Sequence, residues 1–275
     1  MTYTAGIDIG STYTKAVILR DGNEIVGRAM GNTGFKLAQA ARQAYEKALE
    51  AAGLTDADVS YKVATGFGRH RPTFIDVAVT DLTASARGAA FYFPNTRTIL
   101  DIGGQTMKAS RLDEKSKVKS FRLNDKCAAG TGAFIEKTAR YMGYSTEEIG
   151  PLVATSKEAV SISGVCAVFA ESEVINHLSL GNTPADIMRG SFASLVDRAV
   201  QLLKRVRMEP EYTLIGGILR FETMVKVIGE ELKENVNVPK GDMVQFMPAL
   251  GAAILGHQRL QKLAATKTVS APVAT

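Results

Sequence analysis

The stretch "AGIDIGSTYTKAVIL" at residues 5–19 decides the architecture. An apolar run ends in Asp8, a turn follows at Gly10 and Ser11, and a second run leads through Lys15. Apolar, β-branched runs on either side of a tight glycine turn read as a β-hairpin. The stretch "TILDIGGQTMKASRL" at residues 98–112 repeats the pattern. Asp8 falls on Asp101, Gly10 on Gly103, Ser11 on Gly104 and Lys15 on Lys108. An internal copy of this kind predicts two units of like topology.

A third strand-to-glycine element, "LIGGILR", spans residues 214–220. A glycine turn lets backbone N–H groups approach a phosphate with no side chain in the way. An aspartate just before the turn does not bind phosphate directly, because both are anionic, but it can hold Mg²⁺ or a bridging water. An ordinary β-turn explains any one of these elements; three in this order favour phosphate binding. The pattern G-x-x-x-x-G-K-[ST] and a strand-to-helix G-x-G-x-x-G are both absent from the chain. A further glycine turn, "TGFGRHR" at residues 65–71, brings Arg69, His70 and Arg71, which suit a phosphate, a partner or a solvated loop.

Between the two copies the pattern predicts a strand pair in "DGNEIVGRAMG", then a helix in "FKLAQAARQAYEKALEAAGL" stopped at Gly53. A strand in "YKVATGFG" and a helix in "DLTASARGAAFYF" follow. The second half predicts helices after each cysteine, a long helix near 184–207, and a helix in "FETMVKVIGEELK". The expected organisation is an α/β chain with one lobe at 1–95 and a second at 96–250. A closing helix at 251–264 is expected to pack back toward the first lobe, and a mobile tail to occupy 265–275.

The 275 residues, 45% of them hydrophobic, suffice to bury such a core and exclude a disordered chain. The opening "MTYTAGIDIGS" has no basic leader and meets Asp8 early, and the longest apolar stretch, near "MPALGAAILG", is too short to cross a bilayer. A cytoplasmic protein without a membrane partner is expected. The net charge of +5 is spread over helical segments such as "KVIGEELKENV", which argues for a solvated surface and against a nucleic-acid partner.

The only cysteines are Cys127, in "NDKCAAGTGAFIE" (residues 124–136), and Cys166, in "SGVCAVFAESEVI" (residues 163–175). A free cysteine is most often a small buried hydrophobe. Both of these stand at the entrance to a predicted helix, where unpaired N–H groups favour a thiolate. Two thiolates are too few for a [4Fe–4S] cluster, but a pair of chains supplies four. A redox disulfide is the alternative, although the Cys-x-x-Cys arrangement is missing.

The hairpins and "LIGGILR" resemble the actin-like ATPase fold shared by sugar kinases, Hsp70-type chaperones and acetate kinases. That resemblance implies two lobes around an ATP cleft. It implies phosphate contacts from Gly10, Ser11, Thr12, Gly103, Gly104 and Gln105, with Lys15 neutralising charge. It further implies Mg²⁺ or water at Asp8 and Asp101, the ribose at Glu136 and adenosine near Gly216 and Gly217. Asp8, Asp101 and Gln105 are the expected catalytic residues.

With "NDKCAAGTG" and "SGVCAVFAESEVI" added, the chain resembles the BadF/BadG/BcrA/BcrD-type ATPases, the electron activators of benzoyl-CoA reductase and of 2-hydroxyacyl-CoA dehydratases. This resemblance implies a homo- or heterodimer of homologous ATPase subunits sharing one [4Fe–4S] cluster through Cys127 and Cys166. Its implied partners are a ferredoxin-like donor and catalytic subunits that reduce an acyl-CoA. Thr106 stands where dehydratase activators usually carry an acidic residue, and Ala133 where they usually carry arginine. These departures lean toward the smaller ATPase subunit of benzoyl-CoA reductase. A dehydratase activator is the alternative. A small-metabolite kinase on the same fold is a third reading, and it has no use for the cysteines; a chaperone-like ATP switch is a fourth.

Overall fold

The computed structural model describes residues 1–124, 131–162 and 167–269. In chain order the elements are β1 (Tyr3–Ile9), β2 (Tyr13–Arg20), β3 (Glu24–Asn32), α1 (Leu37–Ala52), β4 (Val59–Thr65), β5 (Val77–Ala78) and α2 (Asp81–Tyr92). Then come β6 (Thr98–Ile102), β7 (Met107–Leu112), β8 (Val118–Asn124), α3 (Gly132–Tyr141), α4 (Ile149–Ala154), α5 (Ala167–Ser179) and α6 (Pro184–Arg205). The last elements are β9 (Tyr212–Ile215), α7 (Glu222–Leu232), β10 (Val236–Asn237) and α8 (Met247–Val269). The chain divides into two units, Met1–Tyr92 with Phe246–Thr275, and Phe93–Gln245.

Each unit is built on a five-stranded sheet, ordered β3-β2-β1-β4-β5 in the first and β10-β9-β6-β7-β8 in the second. In each, three strands run antiparallel as a meander, and the strand that starts the meander pairs in parallel with one arriving from a crossover. The duplication extends to register. Asp8 lies opposite Lys15, and Asp101 lies opposite Lys108.

In the first unit, Ile7, Ile9, Ala16 and Ile18 face Ala41, Ala44, Tyr45 and Ala48 of α1. Gly53 ends α1 in the left-handed region, at φ 66°, which a side chain would disfavour. Helix α8 covers the other face of β1 at backbone distance. A Cβ built on Gly6 would stand 1.9 Å from the Ala249 carbonyl oxygen, while the Thr4 hydroxyl donates to the Ala253 carbonyl at 3.0 Å. Backbone cannot swing aside as a side chain does, so Gly6→Ala is expected to destabilise the protein by about 3 kcal/mol, the upper range for overpacking. Urea unfolding checks this, and a loss below about 0.5 kcal/mol would show that α8 can lift without cost.

In the second unit, α6 begins at a Thr183 cap whose hydroxyl accepts the Asp186 N–H at 3.2 Å, with Pro184 at its first turn. Its buried Phe192, Leu195 and Val196 share one core with Leu100, Ile102, Met107 and Ala109 of the sheet.

Two sequence expectations change in detail. "DGNEIVGRAMG" is one strand, β3, and not a pair. Gly27 makes no turn; it lets the Ala48 carbonyl of α1 come within 2.2 Å of where a Cβ would be. The final helix starts at Met247 and runs to Val269, longer at both ends than expected. No helix among the described residues is long and apolar enough to cross a membrane.

Candidate functional site

In the first unit the site forms at the carboxyl ends of β1 and β4, where open α/β sheets bind ligands. The Gly10 N–H donates to the Tyr13 carbonyl at 3.2 Å and closes the turn, leaving Ser11 and Thr12 as its tip. A Cβ at Gly10 would lie 2.7 Å from that carbonyl and 3.4 Å from Lys15 Nζ. Two loops brace the turn: Thr33 N–H donates to the Thr12 carbonyl, and Gly68 N–H to the Ile9 carbonyl, both at 2.9 Å. Asp8 is buried, and Lys15 Nζ donates to its Oδ2 at 3.1 Å. Arg69 is tied to its own loop, its Nη1 donating to the Gly66 carbonyl at 3.1 Å, whereas His70 and Arg71 are exposed.

The second unit repeats this arrangement. The Gly103 N–H donates to the Thr106 carbonyl at 2.8 Å, with Gly104 and an exposed Gln105 at the tip. Lys108 Nζ stands 3.5 Å from Oδ2 of the buried Asp101. The N–H groups of Ser11, Thr12, Gly104 and Gln105 donate to no backbone carbonyl among the described residues. Free N–H groups at a turn tip are the chemistry that receives a phosphate oxygen.

Gly216 sits beside the second turn because β9 pairs in parallel with β6, Asp101 opposite Ile215. Its φ of 109° excludes side chains, and a Cβ there would be 2.2 Å from the Ile102 carbonyl. Gly217 faces the buried Gln245, 3.2 Å from Cβ position to Oε1. Glu136, on α3, is half-buried. Burial pushes its carboxyl above the ordinary range, and the positive charges of Arg220 and then Arg140 partly offset this. Glu136 and the Gly216–Arg220 segment are therefore within electrostatic reach of each other.

The turn and α3 are joined directly. Gly132 N–H donates to the Gly103 carbonyl at 3.0 Å, and Ala133 N–H to the Gly104 carbonyl at 2.8 Å. The first N–H groups of a helix lack partners within it; here the phosphate-type turn supplies them. Sequence reading missed this link, since nothing in "CAAGTGAFIE" names the acceptor. It also missed a second extension of the repeat: Thr65–Gly66 at the end of β4 stands where Ile215–Gly216 stands at the end of β9. Gly66 has φ 86°, and its Cβ position lies 2.6 Å from the Ile9 carbonyl and 2.4 Å from Asp8 Oδ1. The "TG" of "TGFGRHR", set against the "IG" of "LIGGILR", carried that signal.

Among the described residues no three His, Cys, Asp or Glu side chains gather to hold a metal. A hard cation here fits as nucleotide-borne Mg²⁺, which keeps water and phosphate ligands and needs one or two carboxylates. Asp8 and Asp101 each offer one. Cys127 and Cys166 lie outside the described residues.

Relatives fix the family. The chain is 40% identical to the activator of lactoyl-CoA dehydratase of Anaerotignum propionicum, over 94% of this chain and 99% of that protein. It is 36% identical to one of the subunits of benzoyl-CoA reductase from Thauera aromatica, over 96% of each. The solved structure of the activator of 2-hydroxyisocaproyl-CoA dehydratase from Clostridium difficile, with bound ADPNP, superposes with a TM-score of 0.90 at 36% identity, covering all of both chains. The fold is the actin-like ATPase fold. The lean toward benzoyl-CoA reductase is not supported at this level, because dehydratase activators reach the higher identities. In the structure both positions that carried the lean serve the turn through backbone groups, Thr106 as carbonyl acceptor and Ala133 as N–H donor. The model of the BadF/BadG/BcrA/BcrD ATPase family matches residues 5–256, and the chain belongs to that family.

Proposed function

We propose that this chain is an ATP-hydrolysing electron activator of the 2-hydroxyacyl-CoA dehydratase kind. Gly10, Ser11 and Thr12 bind phosphate from the first unit, and Gly103, Gly104 and Gln105 from the second. Asp8 and Asp101 hold the water shell of the nucleotide's Mg²⁺, Lys15 offsets phosphate charge, and Glu136, Gly216 and Gly217 take the nucleoside. Cys127 and Cys166 of two copies would hold one [4Fe–4S] cluster, which would supply one-electron transfer between a ferredoxin-like donor and the dehydratase component.

The observation that carries this reading is the pair of hydrogen bonds from Gly132 and Ala133 to the Gly103–Gly104 turn. A turn that gains or loses a γ-phosphate shifts its carbonyls, and α3 follows. Cys127 stands only five residues before Gly132 in the sequence. A change at the turn thereby acts on the start of α3, which follows the cysteine closely in sequence.

The test uses anaerobically purified protein, titanium(III) citrate as donor and a purified 2-hydroxyacyl-CoA dehydratase component as acceptor. Electron delivery is expected with ATP and not with ADP or a non-hydrolysable analogue. Equal delivery with no nucleotide present would reject the coupling. Ala133→Pro removes one of the two N–H donors within the first helical turn, where proline is tolerated. Electrons delivered per ATP hydrolysed should then fall about tenfold, a typical coupling energy. An unchanged ratio would place the coupling elsewhere.

A further inference from the structure

We propose that Thr65 is a positioning residue of the nucleotide site, its hydroxyl holding a water shared with the Asp8 carboxylate when Mg²⁺-nucleotide is bound. The proposal rests on the ATPase reading above. Three observations carry it.

The Thr65 side chain is fully buried, and its Oγ1 has no hydrogen-bond partner among the described residues. Buried hydroxyls are nearly always paired, because an unpaired one forfeits its hydration for nothing. Register then fixes the neighbour. Thr65 is the parallel partner of Asp8, and Lys15 is Asp8's antiparallel partner, so the three side chains form one row on one face of the sheet. The orphan hydroxyl therefore stands on the strand beside the one that carries the carboxylate, about 4.8 Å away backbone to backbone, a spacing that one water can bridge.

The third observation comes from the duplication. Ile215 occupies the position in the second unit that Thr65 occupies in the first, each paired in parallel with the aspartate of its hairpin. Ile215 is fully buried, and the glycine after it has positive φ just as Gly66 does. The fold thus accepts an aliphatic residue at this point, and packing does not demand a hydroxyl. The two aspartates consequently differ. Asp8 has a polar neighbour able to order water, whereas Asp101 has an apolar one. This asymmetry assigns the ordered water, and with it the tighter hold on the cation shell, to the first hairpin.

Thr65→Val keeps the shape and removes the hydroxyl; Thr65→Ser keeps the hydroxyl and removes a methyl group. Calorimetric titration with ATP, with and without Mg²⁺, measures how much the cation improves binding. For wild type and Thr65→Ser that gain should be the same. For Thr65→Val it should fall about tenfold, the worth of one hydrogen bond to a charged centre, with metal-free ATP affinity unchanged. Thermal stability of Thr65→Val should equal or exceed that of wild type, since no internal hydrogen bond is lost. A wild-type Mg²⁺ gain in Thr65→Val would overturn the proposal, as would an equal loss in Thr65→Ser. If the valine variant does not fold, Thr65→Ala serves in its place with the same expectation. Failure of the underlying ATPase reading looks different: wild-type protein itself would then show no Mg²⁺-dependent ATP binding.

Discussion

Asp8→Asn should lower ATP turnover at least about a hundredfold while leaving the protein folded. Asp101→Asn should lower it as well, by a smaller factor, because Asp8 has the tighter hold on the cation shell. Asparagine matches aspartate in shape and still offers Lys15 or Lys108 an oxygen, so packing is untouched. What disappears is one negative charge, fixed in advance at a buried point beside the turn. Preorganised charge of this kind typically contributes a factor of about 10²–10³ to turnover. The structural cost is smaller. Weakening the 3.1 Å contact between Lys15 and Asp8 costs about 1–2 kcal/mol, or several degrees of melting temperature in a chain of this size. Nucleotide affinity should fall less than turnover, because the proposed phosphate contacts come from backbone N–H groups. Phosphate release and scanning calorimetry, run together, separate the two effects. If both variants hydrolyse ATP within twofold of wild type, neither hairpin takes part in the chemistry.

Cys127→Ser and Cys166→Ser should each reduce bound iron to near zero. A thiolate ligates iron in a cluster; a serine hydroxyl stays protonated near neutral pH and is a hard, poor substitute. The chain has no third cysteine to take over. In the proposed cluster four thiolates come from two chains, so losing one per chain removes half the ligand set, and the dimer should weaken with it. Iron content and visible absorption under anaerobic conditions report the first effect, and sedimentation reports the second. ATP binding should survive in both variants, since none of the phosphate contacts is altered. Wild-type iron content in the serine variants would leave the cysteines with a role other than ligation.

The parts of this molecule that sequence made legible are those whose signal is local. Asp8 and Asp101 announce themselves because an apolar run, an aspartate and a glycine turn fit within a dozen residues, and strand pairing then brings Lys15 and Lys108 to their sides. What stayed hidden depends on contacts between distant segments. Thr65 meets Asp8 only because β4 returns in parallel after α1, and a lone threonine before a glycine gives no hint of that neighbour. The α3 link is hidden for a different reason: it is made entirely of backbone groups, which every residue possesses. Glycine also proved ambiguous. The glycines of "DGNEIVGRAMG" suggested a strand pair, yet Gly27 sits within one strand and admits the backbone of α1, whereas Gly10 and Gly103 read as turns and are turns.

The position of α8 also bears on the order of synthesis. The first unit is assembled from two separate stretches of chain, with the whole second unit inserted between them. On a ribosome adding about 5–20 residues per second, the sheet of β1 to β5 waits roughly 10–30 s for the helix that covers it. Throughout that interval Gly6 of β1 and Gly88 of α2 lack the α8 backbone that packs against them. The second unit, continuous in sequence, can form as it emerges. The unit begun first is therefore completed last, and a nascent chain lacking α8 carries an open apolar sheet face that invites chaperone capture.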